Sequence, residues 1–217
     1  MKRHLRIPLF LLISLLNSLA SYASNEMSFH QLGVKTGMSD NYIQAIERDK
    51  YGFMWFATRD GLNRYDGYHF KTYTTLRQGA YNNSVEWVAE DAAGNIWIKT
   101  PVNYCFYDRE MDELDNRTEL LLHKIGIFES PRQLFIDDDK NLWCVADNTL
   151  YYYIFSDETL YKQSLPGSVN IADMACRNKR CYILMTDGNV INIDWMHKSI
   201  TCLLYTSDAA DDLTRVD

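Results

Sequence analysis

Three tryptophans recur with the same neighbours along this chain, and their spacing limits what the chain can fold into. Trp55, Trp97 and Trp143 are separated by 42 and 46 residues. Each has an aspartate six residues before it and a tyrosine ten residues after it, namely Asp49 and Tyr65, Asp91 and Tyr107, and Asp137 and Tyr153. A fixed period of this length is typical of repeat proteins, in which every repeat is one supersecondary unit.

Each repeat has the pattern of short β-strands joined by tight turns. Apolar runs rich in β-branched and aromatic residues alternate with Asp, Gly and Asn. In the first repeat this pattern predicts strands near 42–48, 53–58, 62–65 and 69–74. The turn between the first two strands has the form Asp-x-x-Gly and ends at Gly52, and the second repeat has Gly94 at the same place. Four antiparallel strands per repeat correspond to one blade of a β-propeller.

We therefore predict an all-β fold, a partial β-propeller of about four four-stranded blades in an incomplete ring. The blades are expected near 40–75, 84–116, 130–164 and 168–200. The fourth repeat is weaker, with Tyr182 standing where the earlier repeats have tryptophan. A single blade cannot bury its own apolar faces, so neighbouring blades must stack. We accordingly interpret the repeat tryptophans as core residues of the blades and not as ligand-stacking residues.

Both ends of the chain differ from the repeats. Residues 1–23 combine a basic start with an apolar stretch and a small-x-small motif that ends at Ala23. This pattern predicts a secretory signal peptide cleaved after Ala23, with an uncleaved N-terminal anchor as the alternative. Residues 202–217 contain no glycine and four aspartates, and we interpret them as an extraneous tail, with an ordinary polar end as the alternative.

Charge and cysteine content limit the function classes further. The formal net charge is −7, and residues 1–23 contain three basic and no acidic groups, so the remainder is more acidic still. An acidic surface repels polyphosphate, which argues against nucleic-acid binding. The five cysteines fit no zinc-binding spacing. Cys176 and Cys181 flank an expected hairpin turn. A disulfide between them and two free thiols are equally weighted alternatives.

Motifs of common enzymes and metal sites are absent from the sequence. There is no His-Glu-x-x-His, no Gly-x-Ser-x-Gly and no phosphate-binding Gly-rich loop. Asp137-Asp138-Asp139 suggests a metal site at first sight. Aspartate side chains, however, commonly bond to their own backbone in turns, and this run lies in a predicted turn. We therefore predict no catalytic residue, no metal ligand and no cofactor, and leave the ligand-binding residues unassigned.

The segment 49–67 resembles a known repeat. It reads Asp-x-x-Gly-Phe-Met-Trp-Phe-Ala-Thr-Arg-Asp-Gly-Leu-Asn-Arg-Tyr-Asp-Gly, which is similar to the two-component regulator propeller repeat. Residues 37–43 resemble the segment that precedes such repeats, and the resemblance extends over about 28–200. The sequence departs from the repeat at Ala57, where glycine is usual, at Pro101-Val102 in the second copy and at Asp147-Asn148-Thr149 in the third; these departures concern individual turns and not the architecture.

The resemblance implies a function that the residues alone do not. Such propellers form the periplasmic sensor region of hybrid two-component histidine kinases in the inner membrane, and many regulate glycan-utilisation genes. By this resemblance the chain is a non-enzymatic, N-terminal, periplasmic ligand-sensing region, with an oligosaccharide ligand and a homodimeric receptor. The kinase activity would belong to the full-length protein. Two alternatives stay open: an exported propeller enzyme acting on polysaccharide, either a lyase or a glycosidase, and a structural or adhesive propeller.

Overall fold

The structure is a computed structural model that describes residues 29–75, 83–167, 170–197 and 199–203. These residues form four separate four-stranded sheets, and the strands of each sheet are arranged in chain order. Every neighbouring pair within a sheet is antiparallel. The predicted all-β fold with four four-stranded units is confirmed. The predicted signal peptide and residues 204–217 of the predicted tail lie outside the described residues.

The strands of the first sheet are β1 (Ile43–Arg48), β2 (Met54–Thr58), β3 (Gly61–Tyr65) and β4 (Phe70–Tyr73). Those of the second are β5 (Trp87–Glu90), β6 (Ile96–Lys99), β7 (Tyr104–Asp108) and β8 (Glu113–Asp115). The third sheet contains β9 (Pro131–Ile136), β10 (Leu142–Ala146), β11 (Thr149–Ile154) and β12 (Thr159–Ser164). The fourth contains β13 (Ile171–Arg177), β14 (Arg180–Met185), β15 (Val190–Asp194) and β16 (Ser199–Leu203).

Helical structure is confined to short segments in the described residues. A 3₁₀ helix at Val34–Thr36 precedes β1. Between the second and third sheets, α1 (Glu119–Leu122) continues into a 3₁₀ helix at His123–Ile125. Leu122 is buried in the core beside the third sheet. No helix of the described residues is long and apolar enough to cross a membrane.

The apolar core lies between neighbouring sheets. Strand alternation gives each sheet two apolar faces, as in β10, where Cys144 packs with residues of the second sheet and Val145 with residues of the fourth. Trp55 packs between the first and second sheets, Trp97 between the second and third, and Trp143 between the third and fourth. All three tryptophans are at most 1% exposed. The sheets therefore stack in chain order, as the blades of a propeller do.

Polar contacts join the first hairpins of three sheets. The backbone N–H of Lys50 donates to Glu90 Oε1 at 3.0 Å, and its Nζ donates to the carbonyl of Ala93 at 2.8 Å. The N–H of Ala92 in turn donates to the carbonyl of Lys140 at 2.9 Å. The Lys140 ammonium forms an ion pair with Glu47 of β1. The first turns of successive sheets are thus linked by hydrogen bonds as well as by apolar packing.

Candidate functional site

The aspartate and tryptophan of each repeat are hydrogen-bonded to each other. The indole Nε1 donates to a carboxylate oxygen at 3.0 Å for Trp55 and Asp49, at 2.8 Å for Trp97 and Asp91, and at 2.8 Å for Trp143 and Asp137. The aspartate closes the turn before the second strand, and the tryptophan lies near the start of that strand. The six-residue offset therefore corresponds to the residues of the tight turn plus the first two residues of β2, β6 or β10. We call these three contacts the Asp–Trp pairs.

The other carboxylate oxygen of each aspartate organises its turn. Asp137 Oδ1 accepts the backbone N–H groups of Asp139 and Asn141 at 3.0 and 2.9 Å. Burial raises the pKa of the Asp137 carboxyl above its ordinary value. These contacts are those of a turn-closing residue. No cluster of His, Cys, Asp and Glu able to hold a metal ion occurs among the described residues.

The glycines of the Asp-x-x-Gly turns occupy left-handed backbone. Gly52 and Gly94 both have φ of +91°. In the third sheet the same place is taken by Lys140, at φ +64°, and its N–H donates to the carbonyl of Asp137 as those of the two glycines do to their aspartates. The turn geometry is therefore retained without glycine. Lys140 adopts a conformation that is uncommon for residues other than Gly, Asn and Asp.

The tyrosines ten residues after each tryptophan lie on the third strand of their sheet. Tyr65, Tyr107 and Tyr153 are paired in register with the residue before the tryptophan on the second strand. Tyr107 and Tyr153 are buried, whereas Tyr65 is partly exposed and its hydroxyl donates to the carbonyl of Gly67 at 2.7 Å. These residues support the blades and do not converge on one site.

Tyr182 shares the strand position of the tryptophans but not their burial. It lies on β14, and its neighbours Cys181 and Ile183 are buried against the third sheet. Because side chains alternate along a strand, Tyr182 projects from the opposite face of the fourth sheet. Tyr182 and Leu184 on this face are 40% and 41% exposed. No further sheet of the described residues packs against it.

Several clefts lie at the ends of the sheets where the Asp–Trp pairs are found. The one between the second and third sheets has a volume of about 500 Å³ and includes Asp91 and Trp97 in its wall. A neighbouring cleft of about 480 Å³ lies beside Asp139 and Asn141. Another, between the third and fourth sheets, has a volume of about 540 Å³. We call this last one the aromatic cavity, because Tyr152, Tyr161 and Trp195 line it.

The three rings of the aromatic cavity form one cluster. The ring centroid of Trp195 lies 6.2 Å from that of Tyr152 and 5.7 Å from that of Tyr161. Tyr152 in turn stacks on Trp143 at 3.9 Å, which fixes the cluster to the core. The indole Nε1 of Trp195 is buried and has no hydrogen-bond partner among the described residues. A buried unpaired donor is costly, and a ligand that accepts a hydrogen bond would satisfy it.

Polar groups complete the wall of the aromatic cavity. They are Gln163, Lys179, Asp194 and Ser199. Arg180 Nε donates to Asp194 at 2.8 Å, and His197 Nδ1 lies 2.9 Å from the same carboxylate. The hydrogen bond from His197, followed by those of its backbone and of Arg180, lowers the pKa of Asp194 to about 2. The cavity therefore combines aromatic faces with a carboxylate that is charged at neutral pH, a lysine and an amide.

Sequence reasoning left the ligand-binding residues unassigned and did not single out this cavity. One signal was available. Trp195 and Trp87 are the two tryptophans without an aspartate six residues earlier, since Asn189 and Tyr81 stand there. A tryptophan that is not part of an Asp–Trp pair is a better candidate for ligand binding.

Comparisons with known proteins agree with this architecture. Residues 37–60 match the family model described as "Two component regulator propeller". Over 37 residues, or 17% of this chain, the sequence is 51% identical to histidine kinase P4 of Formosa agariphila, of which this stretch spans 3%. The fold is similar to the crystal structure of the extracellular domain of hybrid two component system BT3049 from B. thetaiotaomicron, with a TM-score of 0.55 and 22% identity.

That structural match covers 81% of this chain and 26% of the BT3049 domain, so the chain spans about a quarter of this relative. A second extracellular domain, that of hybrid two component system BT4673 from the same organism, has a TM-score of 0.46 and 18% identity over 82% of this chain. The match at residues 37–60 contains the first Asp–Trp pair and its turn. Residues 37–60 therefore match the two-component regulator propeller repeat, and the stacked four-stranded sheets are similar in fold to the extracellular domain of BT3049.

Proposed function

We propose that this chain is the periplasmic ligand-sensing region of a hybrid two-component histidine kinase, and that it acts without catalysing a reaction itself. The match at residues 37–60 to the two-component regulator propeller model carries this proposal. The similarity to histidine kinase P4 over 37 residues supports it. In such a receptor, ligand binding would shift the population of two arrangements of a homodimer, and the shift would reach the kinase across the inner membrane.

The proposed ligand is an oligosaccharide, and the regulated genes are those of glycan utilisation. Sugar rings present C–H faces that pack on aromatic rings and hydroxyls that pair with amides and carboxylates. The aromatic cavity offers both kinds of partner in about 540 Å³, a size typical of small-molecule sites. The unpaired indole N–H of Trp195 adds a donor for a hydroxyl oxygen.

Calorimetric titration of the purified protein with oligosaccharide digests of plant, algal and animal polysaccharides tests this proposal. A saturable heat with at least one digest is expected. Trp195→Ala should weaken the binding affinity by about tenfold or more, which corresponds to about 1.4 kcal/mol of binding free energy. Tyr68→Ala is the matched control, because Tyr68 is 85% exposed and lies outside the cavity wall. Binding that Trp195→Ala leaves unchanged would exclude this cavity as the site.

Mass analysis of the same digests after incubation distinguishes a sensor from an exported propeller enzyme. A sensor leaves the masses unchanged. A glycosidase adds water across the cleaved bond, and a lyase yields an unsaturated product. Either product, if abolished by heat denaturation of the protein, would replace the sensor proposal by the enzyme alternative.

A further inference from the structure

Two cysteines face each other in the first hairpin of the fourth sheet. Cys176 on β13 and Cys181 on β14 are direct partners in the antiparallel register. Their Sγ atoms lie 2.9 Å apart, and the two residues are 5% and 0% exposed. The other cysteines of the described residues lie elsewhere: Cys105 and Cys144 are in separate clusters between sheets, and Cys202 is exposed on β16.

The hairpin geometry suits a covalent link at this position. The turn consists of Asn178 and Lys179, with φ of +51° and +59°, which is the two-residue turn that matches strand twist. In such a hairpin the closing pair is hydrogen-bonded, so the next pair outward, Cys176 and Cys181, is a non-hydrogen-bonded pair with Cα atoms about 4.5 Å apart. Disulfides span Cα distances of about 4.4–6.8 Å, so the backbone need not move to accept one.

The first hairpins of the other three sheets are each tied by an Asp–Trp pair. Cys176 stands six residues before Tyr182, the offset at which the earlier repeats have aspartate before tryptophan. The fourth sheet therefore lacks both members of the pair that ties the first hairpin elsewhere. It has instead two thiols in contact across the hairpin, in the register that Ile136 and Leu142 occupy in the third sheet. A covalent link between these thiols would tie the one first hairpin of the described sheets that lacks an Asp–Trp pair.

We propose that Cys176 and Cys181 form a cross-strand disulfide that ties the first hairpin of the fourth sheet, which lacks an Asp–Trp pair. The oxidant is an external disulfide, either oxidised glutathione or the disulfide of a thiol oxidoreductase. One cysteine thiolate attacks it, forming a mixed disulfide and releasing one thiol. The second cysteine thiolate then attacks the protein sulfur, which closes the Cys176–Cys181 bond and releases the second thiol.

Burial indicates when the bond forms. Burial, together with the adjoining Cys181, raises the pKa of the Cys176 thiol well above its ordinary value. Thiolate is the reacting species, so exchange is slow while the third and fourth sheets are stacked. The bond is therefore made while the hairpin is still open during folding, and stacking then protects it from reductants. It also fixes the turn of Lys179, which lines the aromatic cavity.

Tryptic digestion of the full chain tests the proposal directly. Arg177, Lys179 and Arg180 lie between the two cysteines, so trypsin separates them into peptides 163–177 and 181–198, each with one cysteine. The protein is refolded in a glutathione redox buffer, quenched with iodoacetamide, unfolded and digested without reductant. We expect the two peptides to be joined, with a mass two hydrogens below their sum, and to separate on reduction.

Variants and melting curves complete the test. Cys202→Ser should retain the joined peptides, whereas Cys176→Ser and Cys181→Ser should each abolish them. Reductant should lower the melting temperature of the wild-type protein by about 4–8 °C and leave that of the double Cys176→Ala, Cys181→Ala variant unchanged. Carbamidomethylated, unjoined peptides in the oxidised, refolded wild type would overturn the proposal, as would joined peptides that contain other cysteines.

Discussion

At the scale of single residues, the Asp–Trp pair explains why the repeat has the sequence it has. The aspartate accepts backbone N–H groups with one carboxylate oxygen and the indole N–H with the other, and the tryptophan ring fills the space between two sheets. Turn, strand and core are therefore coupled through two side chains. A substitution at either residue disturbs all three.

Trp143→Phe isolates the hydrogen bond from the packing. The smaller ring still fills most of the core, but Asp137 Oδ2 loses its indole donor in a buried setting. We expect the free energy of unfolding to fall by about 1–3 kcal/mol, the usual cost of leaving a buried polar group unpaired. Urea denaturation measures this. Trp87→Phe is the control, since Trp87 is partly buried and outside the Asp–Trp pairs, and an equal loss there would contradict the assigned role.

Trp97→Ala measures the packing contribution. Trp97 is 1% exposed between the second and third sheets, so removal of its ring leaves a large cavity. The expected loss in the free energy of unfolding is about 3–5 kcal/mol. A denaturant titration showing a loss below about 1 kcal/mol, the size of an ordinary surface change, would be incompatible with the described core.

At the scale of the strand and turn, backbone geometry matters more than side-chain contacts. Gly52, Gly94 and Lys140 occupy equivalent left-handed positions in the first turns of three sheets. The third turn shows that a side chain is tolerated when φ is close to +60°, the ordinary left-handed region. The glycines have a larger φ, where a Cβ is less well accommodated.

Gly52→Ala is expected to lower the free energy of unfolding by about 1–2 kcal/mol from backbone strain alone. A Cβ added at Gly52 would meet no atom within 4 Å, so a steric clash cannot account for the loss. Thermal and urea unfolding provide the measurement. Lys140→Ala is the matched control: it keeps a non-glycine residue at the equivalent position and removes only the ion pair with Glu47, a contact worth less than about 1 kcal/mol near the surface. Equal stability of Gly52→Ala and the wild type would refute the strain argument.

The turn between β7 and β8 carries an acid-sensitive contact with the first sheet. Burial raises the pKa of the Asp112 carboxyl, but hydrogen bonds from Lys71, Tyr73 and Tyr107 and the charge of Arg64 outweigh burial and hold the pKa well below its ordinary value. Because the folded-state pKa is lower than the unfolded value of about 3.9, this contact stabilises the protein fully above that pH. Its contribution is lost as the pH falls further toward the folded-state pKa.

Asp112→Asn should therefore be less stable than the wild type at pH 7, and the difference between the two should shrink as the pH falls below about 4. Urea denaturation over a series of pH values from neutral to strongly acidic measures it. A difference that stays constant over this range would show that ionisation of Asp112 does not contribute to stability.

At the scale of the whole molecule, stability depends on which sheet faces are covered. The first, second and third sheets each contribute a tryptophan to the interface with the next sheet, whereas the corresponding face of the fourth sheet presents Tyr182 and Leu184 to solvent. Exposed apolar faces promote association between molecules. The same face also borders β16, whose five residues are all exposed.

Tyr182→Lys combined with Leu184→Glu should reduce association of the purified protein and change its free energy of unfolding by less than about 0.5 kcal/mol, as is usual for surface changes. Sedimentation velocity over a range of concentrations measures the association. Tyr68→Lys removes a more exposed ring, 85% accessible, at a distant turn and should leave association unchanged. If Tyr68→Lys and the double variant reduce association equally, the effect is one of charge and not of this face.

The repeat, the all-β class and the four-stranded unit are predictable from the sequence alone. Those features depend on local pattern: alternation sets a strand, Asp-x-x-Gly sets a turn, and equal offsets set equal units. The buried state of Trp55, Trp97 and Trp143 followed from the same pattern, because one blade cannot cover its own apolar faces.

Which distant side chains meet depends on the tertiary structure. The pairing of carboxylate with indole needs the strand to turn back on the aspartate, and the aromatic cavity brings Tyr152 of one sheet beside Trp195 of another. The stacking of sheets also decided that Tyr182, although placed like a tryptophan on its strand, stays exposed. Contacts between sheets depend on how whole surfaces pack against each other. Such packing produces no regular spacing of residues in the sequence, so the contacts cannot be predicted from a sequence pattern.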